Sequence, residues 1–282
     1  MKIDSITLRG VGNLNEDALI INEATSLFGV ADGVSSLIPF QTKENLTGGY
    51  IASNEVQAYF ESLSHGSDLI DDLATINERI KMKMSDYSID LQRKEELWGT
   101  ALAVVKVLEN GIKFIQTGDC MILAVYQTGE VRSLTHLQVD HLESAAMKKW
   151  KEGISKGITT RNQLMNEVKD LLVSNRKKSN SHNGYGVLNG EPEAVDYFEY
   201  GKINKVGLNQ LIILTDGMFL PQEMVPKGLS YWSYIAEVIL DKGMKRYAKN
   251  LIEIEETDPE CIKYPRFKKS DDKAGVVIHF GS

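Results

Sequence analysis

Two of the most apolar segments in the chain end in an aspartate that is followed by glycine. They are FGVADG (Phe28 to Gly33) and LIILTDG (Leu211 to Gly217), and each has the composition of a buried strand. Burial of an unpaired carboxylate is strongly unfavourable, so a buried strand gains nothing from one at its tip. Either the two aspartates lie in ordinary Asp-Gly turns, or they meet a partner that compensates their charge.

Acidic residues also border three other apolar segments. Glu16-Asp17 precedes ALII, Asp119 lies within QTGDCMILAV, and Asp271-Asp272 comes shortly before GVVI. Each site alone is typical of turn chemistry, but the repetition favours a shared function.

A bound cation would explain this repetition. If the strand ends converge, the carboxylates raise one another's pKa and destabilise the fold unless a cation neutralises them. Oxygen ligands without His or Cys select hard cations, namely Mg²⁺ or Mn²⁺. Asp32 is therefore a predicted metal ligand, and Gly33 allows a tight turn that lets a main-chain carbonyl face the ion.

Composition narrows the classes of protein to consider. The 282 residues carry 39 acidic and 32 basic side chains, a net charge of −7, which gives no support to nucleic-acid binding. The chain has only two cysteines, and they lie far apart in the sequence. So few thiols in a chain of this length favour a reducing compartment over a disulfide framework. The polar start MKIDSITLRG is not typical of a signal peptide, and no apolar run has membrane-spanning length. We therefore expect a cytoplasmic protein without membrane or nucleic-acid partners.

The order of the predicted elements indicates an α+β protein. Short strands come first, followed by two amphipathic helices (45–63 and 68–92), a meander of strands (99–135), and further strands and helices up to a closing strand. This order favours helices layered on sheets over alternating βαβ units. No linker divides the chain, so we predict a single domain, residues 1–282, with a polar inserted segment at about 137–205.

Six short motifs follow one another along nearly the whole chain: NEDA (15–18), VADG (30–33), GTALAVV (99–105), TGDC (117–120), LTDG (214–217) and DDKAGVVI (271–278). In order and spacing they resemble those of metal-dependent protein phosphatases of the protein phosphatase 2C type. The fold that this resemblance implies is a four-layer α-β-β-α sandwich, in which helices flank two antiparallel sheets.

The resemblance implies four catalytic aspartates that act as metal ligands. Asp17 and Asp32 would lie at a dinuclear Mn²⁺ or Mg²⁺ centre, with Asp32 bridging both ions and Gly33 offering its carbonyl oxygen. Asp216 and Asp271 would complete the ligands of the second ion.

Three further acidic residues have weaker implied roles. Asp119, together with Asp216, matches residues linked to a third, weaker ion, and Glu16 matches a residue that contacts metal through water. Asp272 stands where the family has Asp or Asn and ranks below Asp271, although a shift of one residue would exchange the two.

The implied reaction is hydrolysis of a phosphomonoester by a water molecule that bridges two ions. Such ions lower the pKa of the water and stabilise both oxygens of an in-line displacement, so no nucleophilic Cys or Ser is needed. The implied substrate is a phosphoserine or phosphothreonine protein, phosphorylated by an opposing Ser/Thr kinase. A monomer is expected.

The chain also departs from the family pattern. The family's phosphate-binding arginine is replaced by Gly12, so Arg9 becomes a candidate phosphate ligand, with a solvated strand residue as the alternative. Val34 stands where eukaryotic members often have histidine, which indicates a bacterial-type enzyme. Cations of the inserted segment are further candidates to contact phosphate, with a solvated loop as the alternative: Arg176, Lys177, Lys178 and His182.

Two other functions remain open on the sequence alone. The loss of the arginine at Gly12 fits a catalytically weak or inactive regulatory binding module. An active phosphatase for a small phosphorylated metabolite would keep the same aspartates. The retained set of aspartates favours catalysis, because a non-catalytic chain has no reason to cluster carboxylates that destabilise it.

Overall fold

The computed structural model describes residues 1–281, and in these residues ten strands form two antiparallel five-stranded sheets. Sheet I has the strand order β1-β10-β9-β6-β7, and sheet II has the order β2-β3-β4-β5-β8. The strands are β1 (Lys2–Leu8), β2 (Asp17–Asn22), β3 (Leu27–Val34), β4 (Gly99–Val107), β5 (Gly111–Thr117), β6 (Met121–Tyr126), β7 (Val131–Ser133), β8 (Glu199–Asn204), β9 (Leu208–Leu214) and β10 (Lys273–His279).

Six α-helices accompany the sheets within the described residues, together with three short 3₁₀ helices at Pro192–Tyr197, Asp216–Met218 and Gln222–Met224. The α-helices are α1 (Gly48–Ser62), α2 (Leu69–Asp86), α3 (Asp140–Ser155), α4 (Arg161–Arg176), α5 (Tyr231–Lys242) and α6 (Met244–Glu256). None of these helices is long and apolar enough to cross a membrane.

Three apolar cores separate four layers. The central core lies between the two sheets and includes Phe28 of sheet II and Ile213 of sheet I. A second core joins α1 and α2 to the outer face of sheet II, and a third joins α5 and α6 to the outer face of sheet I. The predicted α-β-β-α sandwich is therefore confirmed.

The first turn of helix α1 packs closely on residues that precede strands of sheet II, because the helix begins with two glycines. Thr47 caps the helix, and its hydroxyl accepts a hydrogen bond from the Tyr50 amide. A Cβ atom on Gly48 would lie 2.1 Å from the ring of Trp98, and one on Gly49 would lie 2.7 Å from a carboxylate oxygen of Glu16. Only glycine permits this close approach.

The structure corrects two predictions about the strands, one about where β3 ends and one about which strands pair. Strand β3 does not end at Asp32 but continues through Gly33 to Val34, paired with β4 along its whole length. The predicted meander is also interrupted, because β5 belongs to sheet II and β6 to sheet I. The chain changes sheet at Gly118, whose positive φ of 82° suits glycine.

The segment at 137–205, predicted as an insertion, contains the helices α3 and α4 and the strand β8. Helices α3 and α4 pack on each other around Trp150, in a small core that also includes Cys261 and Phe267. The end of the segment forms β8, which pairs with β5 as the edge strand of sheet II.

Candidate metal centre

Sheet II brings Asp17 and Asp32 together on neighbouring strands. Asp17 is the first residue of β2, and its antiparallel partner in β3 is Asp32. The hydroxyl of Thr100, on β4, donates a hydrogen bond of 2.7 Å to the main-chain carbonyl of Asp32. The two carboxylates are therefore fixed to the same end of sheet II by strand pairing.

Sheet I contributes its aspartates from three connections. Asp216 follows β9, Asp271 precedes β10, and β9 pairs with β10, so these two residues lie at the same end of sheet I. Asp119 lies in the turn from β5 to β6, where the chain passes between the sheets. The hydroxyl of Thr215 donates a 2.7 Å hydrogen bond to the Asp17 carboxylate and so connects the two sheets at this end.

Asp271 and Asp272 differ in what their carboxylates contact. The two carboxylate oxygens of Asp272 accept hydrogen bonds of 2.7 Å from the amides of Gly10 and Glu16. The Asp271 carboxylate is partly exposed and pairs with Lys268, and its Oδ1 accepts a 3.0 Å hydrogen bond from the amide of Asp272. Both oxygens of Asp272 are thus bonded to the backbone, whereas one oxygen of Asp271 has only the Lys268 side chain as a partner.

Glu16 lies beside the aspartates with one carboxylate oxygen already bonded. Its Oε1 accepts hydrogen bonds from the hydroxyls of Ser35, at 2.8 Å, and Thr47. The carbonyl of Glu16 accepts the amide of Gly33, where a Cβ atom would lie only 2.5 Å from the Gly49 carbonyl oxygen. The close packing of Gly33 between two backbone segments explains why glycine follows Asp32.

Burial and mutual repulsion raise the pKa of several of these carboxyls. Burial raises the pKa of Asp17 well above its ordinary value, against a hydrogen bond from Thr215, and nearby carboxylates raise it further. The pKa of Asp32 is likewise raised by burial and then by Asp17 and Asp216. Burial, with the charges of Asp271 and Asp119, raises the pKa of Asp216 to about 7. Such a cluster stabilises a bound cation.

The donor set fits a hard divalent cation. Its side-chain donors are carboxylate oxygens, and Oδ1 of Asp216 is buried without a hydrogen-bond partner. As the side chains of residues 1–281 stand, no three His, Cys, Asp or Glu side chains are close enough to surround one ion. Binding of an ion would therefore require side chains to rotate toward it.

A cleft of about 590 Å³ opens beside the aspartates. Glu16, Asp271 and Asp272 give its lining negative charge, and Gly12 lines it from the same β1–β2 connection as Glu16. Lys268 also lines the cleft, and its Nζ lies 2.7 Å from both carboxylate oxygens of Asp271. Lys268 was not among the residues predicted from sequence, because an RFKKS segment has the composition of an exposed loop.

The side chain of the candidate phosphate ligand Arg9 is exposed, and its guanidinium donates a 3.0 Å hydrogen bond to the carbonyl of Asn13. Arg9 is not among the residues that line the cleft in the described part of the chain. Its role as a phosphate ligand stays a prediction.

The inserted segment places one of its candidate cations close to the centre. Burial raises the pKa of Asp119, and the cations Lys268 and Arg176 oppose that shift. Arg176 ends α4 and lies beside the hydroxyl of Tyr185. Lys177 instead pairs with Glu95 at 2.9 Å.

The acidic residue Glu143 of α3 lies within electrostatic reach of the centre, although its side chain is exposed. Partial desolvation and then the charges of Asp119 and Asp216 raise its pKa above the ordinary value. The α3–α4 helix pair therefore borders the aspartates on the side of Asp119.

Comparison with known proteins identifies the family. The family model described as protein phosphatase 2C matches residues 8–254. The chain belongs to the protein phosphatase 2C family. This membership supports a metal-dependent protein phosphatase and does not favour a binding module or a metabolite phosphatase. No curated protein sequence matches this member of the family.

Solved structures of bacterial phosphatases share the protein phosphatase 2C fold with this chain. The Ser/Thr phosphatase PstP/Ppp of Mycobacterium tuberculosis is 16% identical, with a TM-score of 0.58 and coverage of 100% of this chain and 99% of that chain. The Ser/Thr phosphatase Stp1 of Staphylococcus aureus is 14% identical, with a TM-score of 0.54 and coverage of 100% and 95%. The catalytic domain of PstP in complex with two manganese ions is 17% identical, with a TM-score of 0.54 and coverage of 98% and 96%.

Proposed function

We propose that this member of the protein phosphatase 2C family hydrolyses phosphoserine and phosphothreonine in proteins, using two Mn²⁺ or Mg²⁺ ions. The residues that would hold the two ions are Asp17, Asp32, the carbonyl of Gly33, Asp216 and Asp271. Asp119 and Asp216 would hold a third, weaker ion, and Glu16 would contact the centre through water.

One observation carries this proposal, namely the meeting of aspartates from both sheets at one end of the sandwich. Asp17 and Asp32 are paired across β2 and β3, and Asp216 raises the pKa of Asp32 from the other sheet. A protein gains no stability from such repulsion, whereas divalent cations relieve it. The manganese complex of the PstP catalytic domain supports Mn²⁺ as one of the ions.

The chain's own residues would prepare the centre for hydrolysis. When bound, two divalent ions supply a nucleophilic water at neutral pH and stabilise charge on the phosphoryl group. Thr215 orients Asp17 through its 2.7 Å hydrogen bond. Asp272 fixes the backbone at Gly10 and Glu16, which keeps the wall of the cleft in place. Preorganisation of this kind reduces the reorganisation needed during the reaction.

The surroundings of the centre support a protein substrate. The cleft opens at exposed residues of the β1–β2 connection, so a phosphorylated side chain on another protein has access to Asp271. We place the flap of this single domain in the segment at about 137–205, because Glu143 and Arg176 border Asp119. The proposed setting is a cytoplasmic monomer that opposes a Ser/Thr kinase, without nucleic-acid or membrane partners.

Hydrolysis of p-nitrophenyl phosphate by the purified chain tests the proposal. We expect activity that requires millimolar Mn²⁺ and disappears after chelation. Asp32→Asn and Asp216→Asn should each lower kcat by roughly 100-fold or more, because loss of a ligand removes several kcal/mol of charge stabilisation.

Asp86→Asn is the matched control, since Asp86 is an exposed aspartate at the end of α2. Circular dichroism of each variant establishes that it is folded. Full activity in folded Asp32→Asn protein, or hydrolysis by the wild type that is insensitive to chelation, would contradict the metal centre proposed here.

A further inference from the structure

The cleft beside the metal centre contains one positively charged side chain among the described residues that line it. Glu16, Asp271 and Asp272 give the wall negative charge, and Lys268 alone opposes it. A phosphomonoester carries up to two negative charges at neutral pH, so an acidic wall repels it unless cations are present. The chemistry of the cleft therefore makes the ammonium of Lys268 the protein's own attractive group for an anionic ligand.

The backbone around Lys268 is held by hydrogen bonds from Arg161 and Arg266, whereas its side chain is largely exposed. The guanidinium of Arg161 donates hydrogen bonds to the carbonyl of Phe267, the residue before Lys268. Arg266 pairs with Asp258 at 3.0 Å and also donates to the carbonyl of Lys269. The side chain of Lys268 itself is 60% exposed. A fixed backbone that carries an exposed, flexible side chain suits a ligand that binds and leaves.

The only ionic contact of Lys268 in the described structure is with Asp271, one of the proposed metal ligands. A cation bound by Asp271 would compete with Lys268 for the same carboxylate oxygens. The ammonium would then turn to another anion within reach of its flexible stem.

The other candidate cations are less suited to this cleft. Arg9 is exposed and bonded to the Asn13 carbonyl. Arg176 lies beside Tyr185 near Asp119 and is not among the residues that line the cleft in residues 1–281.

We propose that Lys268 binds the phosphate of the substrate, in place of an arginine at Gly12. This role rests on the proposed phosphatase function of the same site. Lys268 would contact a phosphate oxygen directly, whereas the metal ligands would act through the ions.

Three variants test the proposal. Lys268→Met removes the charge and keeps most of the stem, Lys268→Arg keeps the charge, and Lys269→Met is the matched control at the exposed neighbour. Loss of one charge-assisted hydrogen bond predicts a rise of about 10- to 100-fold in KM for p-nitrophenyl phosphate in Lys268→Met, with a smaller change in kcat. Lys268→Arg should recover most of this loss, and Lys269→Met should resemble the wild type.

Two binding measurements do not depend on turnover. Calorimetric titration with inorganic phosphate, in millimolar Mg²⁺, should give a dissociation constant about 10- to 100-fold higher for Lys268→Met than for the wild type. Titration with Mn²⁺ should show unchanged or tighter binding, because the ammonium no longer competes for Asp271. A purely structural role, in which Lys268 holds Asp271 in position, predicts weaker Mn²⁺ binding instead.

The outcomes separate this inference from the proposed function. Unchanged phosphate affinity in Lys268→Met, or loss of phosphate affinity with equal loss of Mn²⁺ affinity, overturns the role of Lys268. Absence of phosphate binding by the wild type overturns it as well. Absence of metal-dependent hydrolysis in the wild type, with phosphate binding that needs Lys268, overturns the proposed function and leaves Lys268 as an anion-binding residue.

Discussion

At the scale of single residues, the adjacent Asp271 and Asp272 illustrate how backbone bonding assigns separate tasks. Asp272 accepts the amides of Gly10 and Glu16, which belong to the connection between β1 and β2. Asp271 accepts one backbone amide, that of Asp272, and pairs with Lys268 in the cleft. A carboxylate with both oxygens bonded to amides supports the backbone, and one with a single such bond keeps an oxygen for a cation.

Gly12 offers a gain-of-function prediction. Its φ is not positive, and a Cβ atom there would lie 3.1 Å from the Leu14 carbonyl, so an arginine requires only a small local shift. Gly12→Arg would add a guanidinium to the wall of the cleft, and we expect KM for p-nitrophenyl phosphate to fall by roughly 10-fold. The same change should restore phosphate binding to Lys268→Met. If it alters KM in neither background, the cleft is not where phosphate binds.

Sequence reasoning could predict the aspartates but not Lys268. Asp32 and Asp216 stand out because each interrupts a strongly apolar segment with a charge. Lys268 and Lys269 are neighbours with the same side chain, and only the bonds of Arg161 and Arg266 to the backbone determine which one lines the cleft. Such long-range bonds leave no periodic signal in the sequence.

At the scale of elements, a buried ion pair connects α6 to the start of β10. Lys273 is fully buried, and its Nζ lies 3.0 and 2.9 Å from the carboxylate oxygens of Glu255. The same ammonium donates to the main-chain carbonyl of Asp271 at 2.9 Å. The pair therefore holds the backbone of a proposed metal ligand against α6.

Separate and combined substitutions of this pair should differ in stability. Lys273→Met alone leaves Glu255 as an uncompensated buried charge and should lower the free energy of unfolding by about 3–5 kcal/mol. Glu255→Leu with Lys273→Met should recover most of that loss, because apolar side chains replace both charges. Urea unfolding measures both effects. A single variant as stable as the wild type would show that the pair contributes little.

The double variant also tests whether the pair positions Asp271. Loss of the bond to the Asp271 carbonyl should weaken Mn²⁺ binding by about 10-fold, as for other residues that orient metal ligands. Calorimetric titration with Mn²⁺ on the folded double variant measures this effect.

Most element types could be predicted from apolar periodicity, whereas the pairing of strands could not. The predicted helices at 45–63 and 68–92 correspond to α1 and α2. The segments of β5 and β6 are both apolar and are joined by a Gly-Asp turn, which is equally typical of a hairpin. The two strands lie in different sheets because Gly118 turns the chain across the sandwich, and this depends on packing of both sheets.

At the scale of the whole molecule, the candidate metal centre lies where the two sheets meet at one end of the sandwich. Asp17 and Asp32 belong to sheet II, whereas Asp216 and Asp271 flank strands of sheet I. Repulsion between the carboxylates of the two sheets opposes the packing of one sheet on the other. A cation bound between them would attract both sets of carboxylates and so favour this packing.

The stability of the chain without divalent ions should therefore depend on pH. The pKa of Asp216 is about 7 in the folded chain against an ordinary 3.8, so its stabilising contribution is complete below about pH 4 and is lost as the pH rises through 7. We expect the Tm in a chelator to fall between pH 5 and pH 7.5, and saturating Mn²⁺ to reduce this slope.

Asp216→Asn provides the control for this dependence, since its side chain cannot titrate. Its Tm in the chelator should vary less with pH than that of the wild type. A Tm of the wild type that rises over the same range, or an equal slope in both proteins, would contradict the assignment.

The position of β10 has a consequence for synthesis of the protein. Strand β10 lies between β1 and β9, and β1 has no other partner in sheet I. A nascent chain that ends before Asp271 therefore lacks one proposed metal ligand, leaves β1 without its partner strand, and leaves one edge of β9 unpaired. Because unpaired strand edges can pair with other chains, we expect the chain to aggregate more readily while β10 is missing than after sheet I is complete.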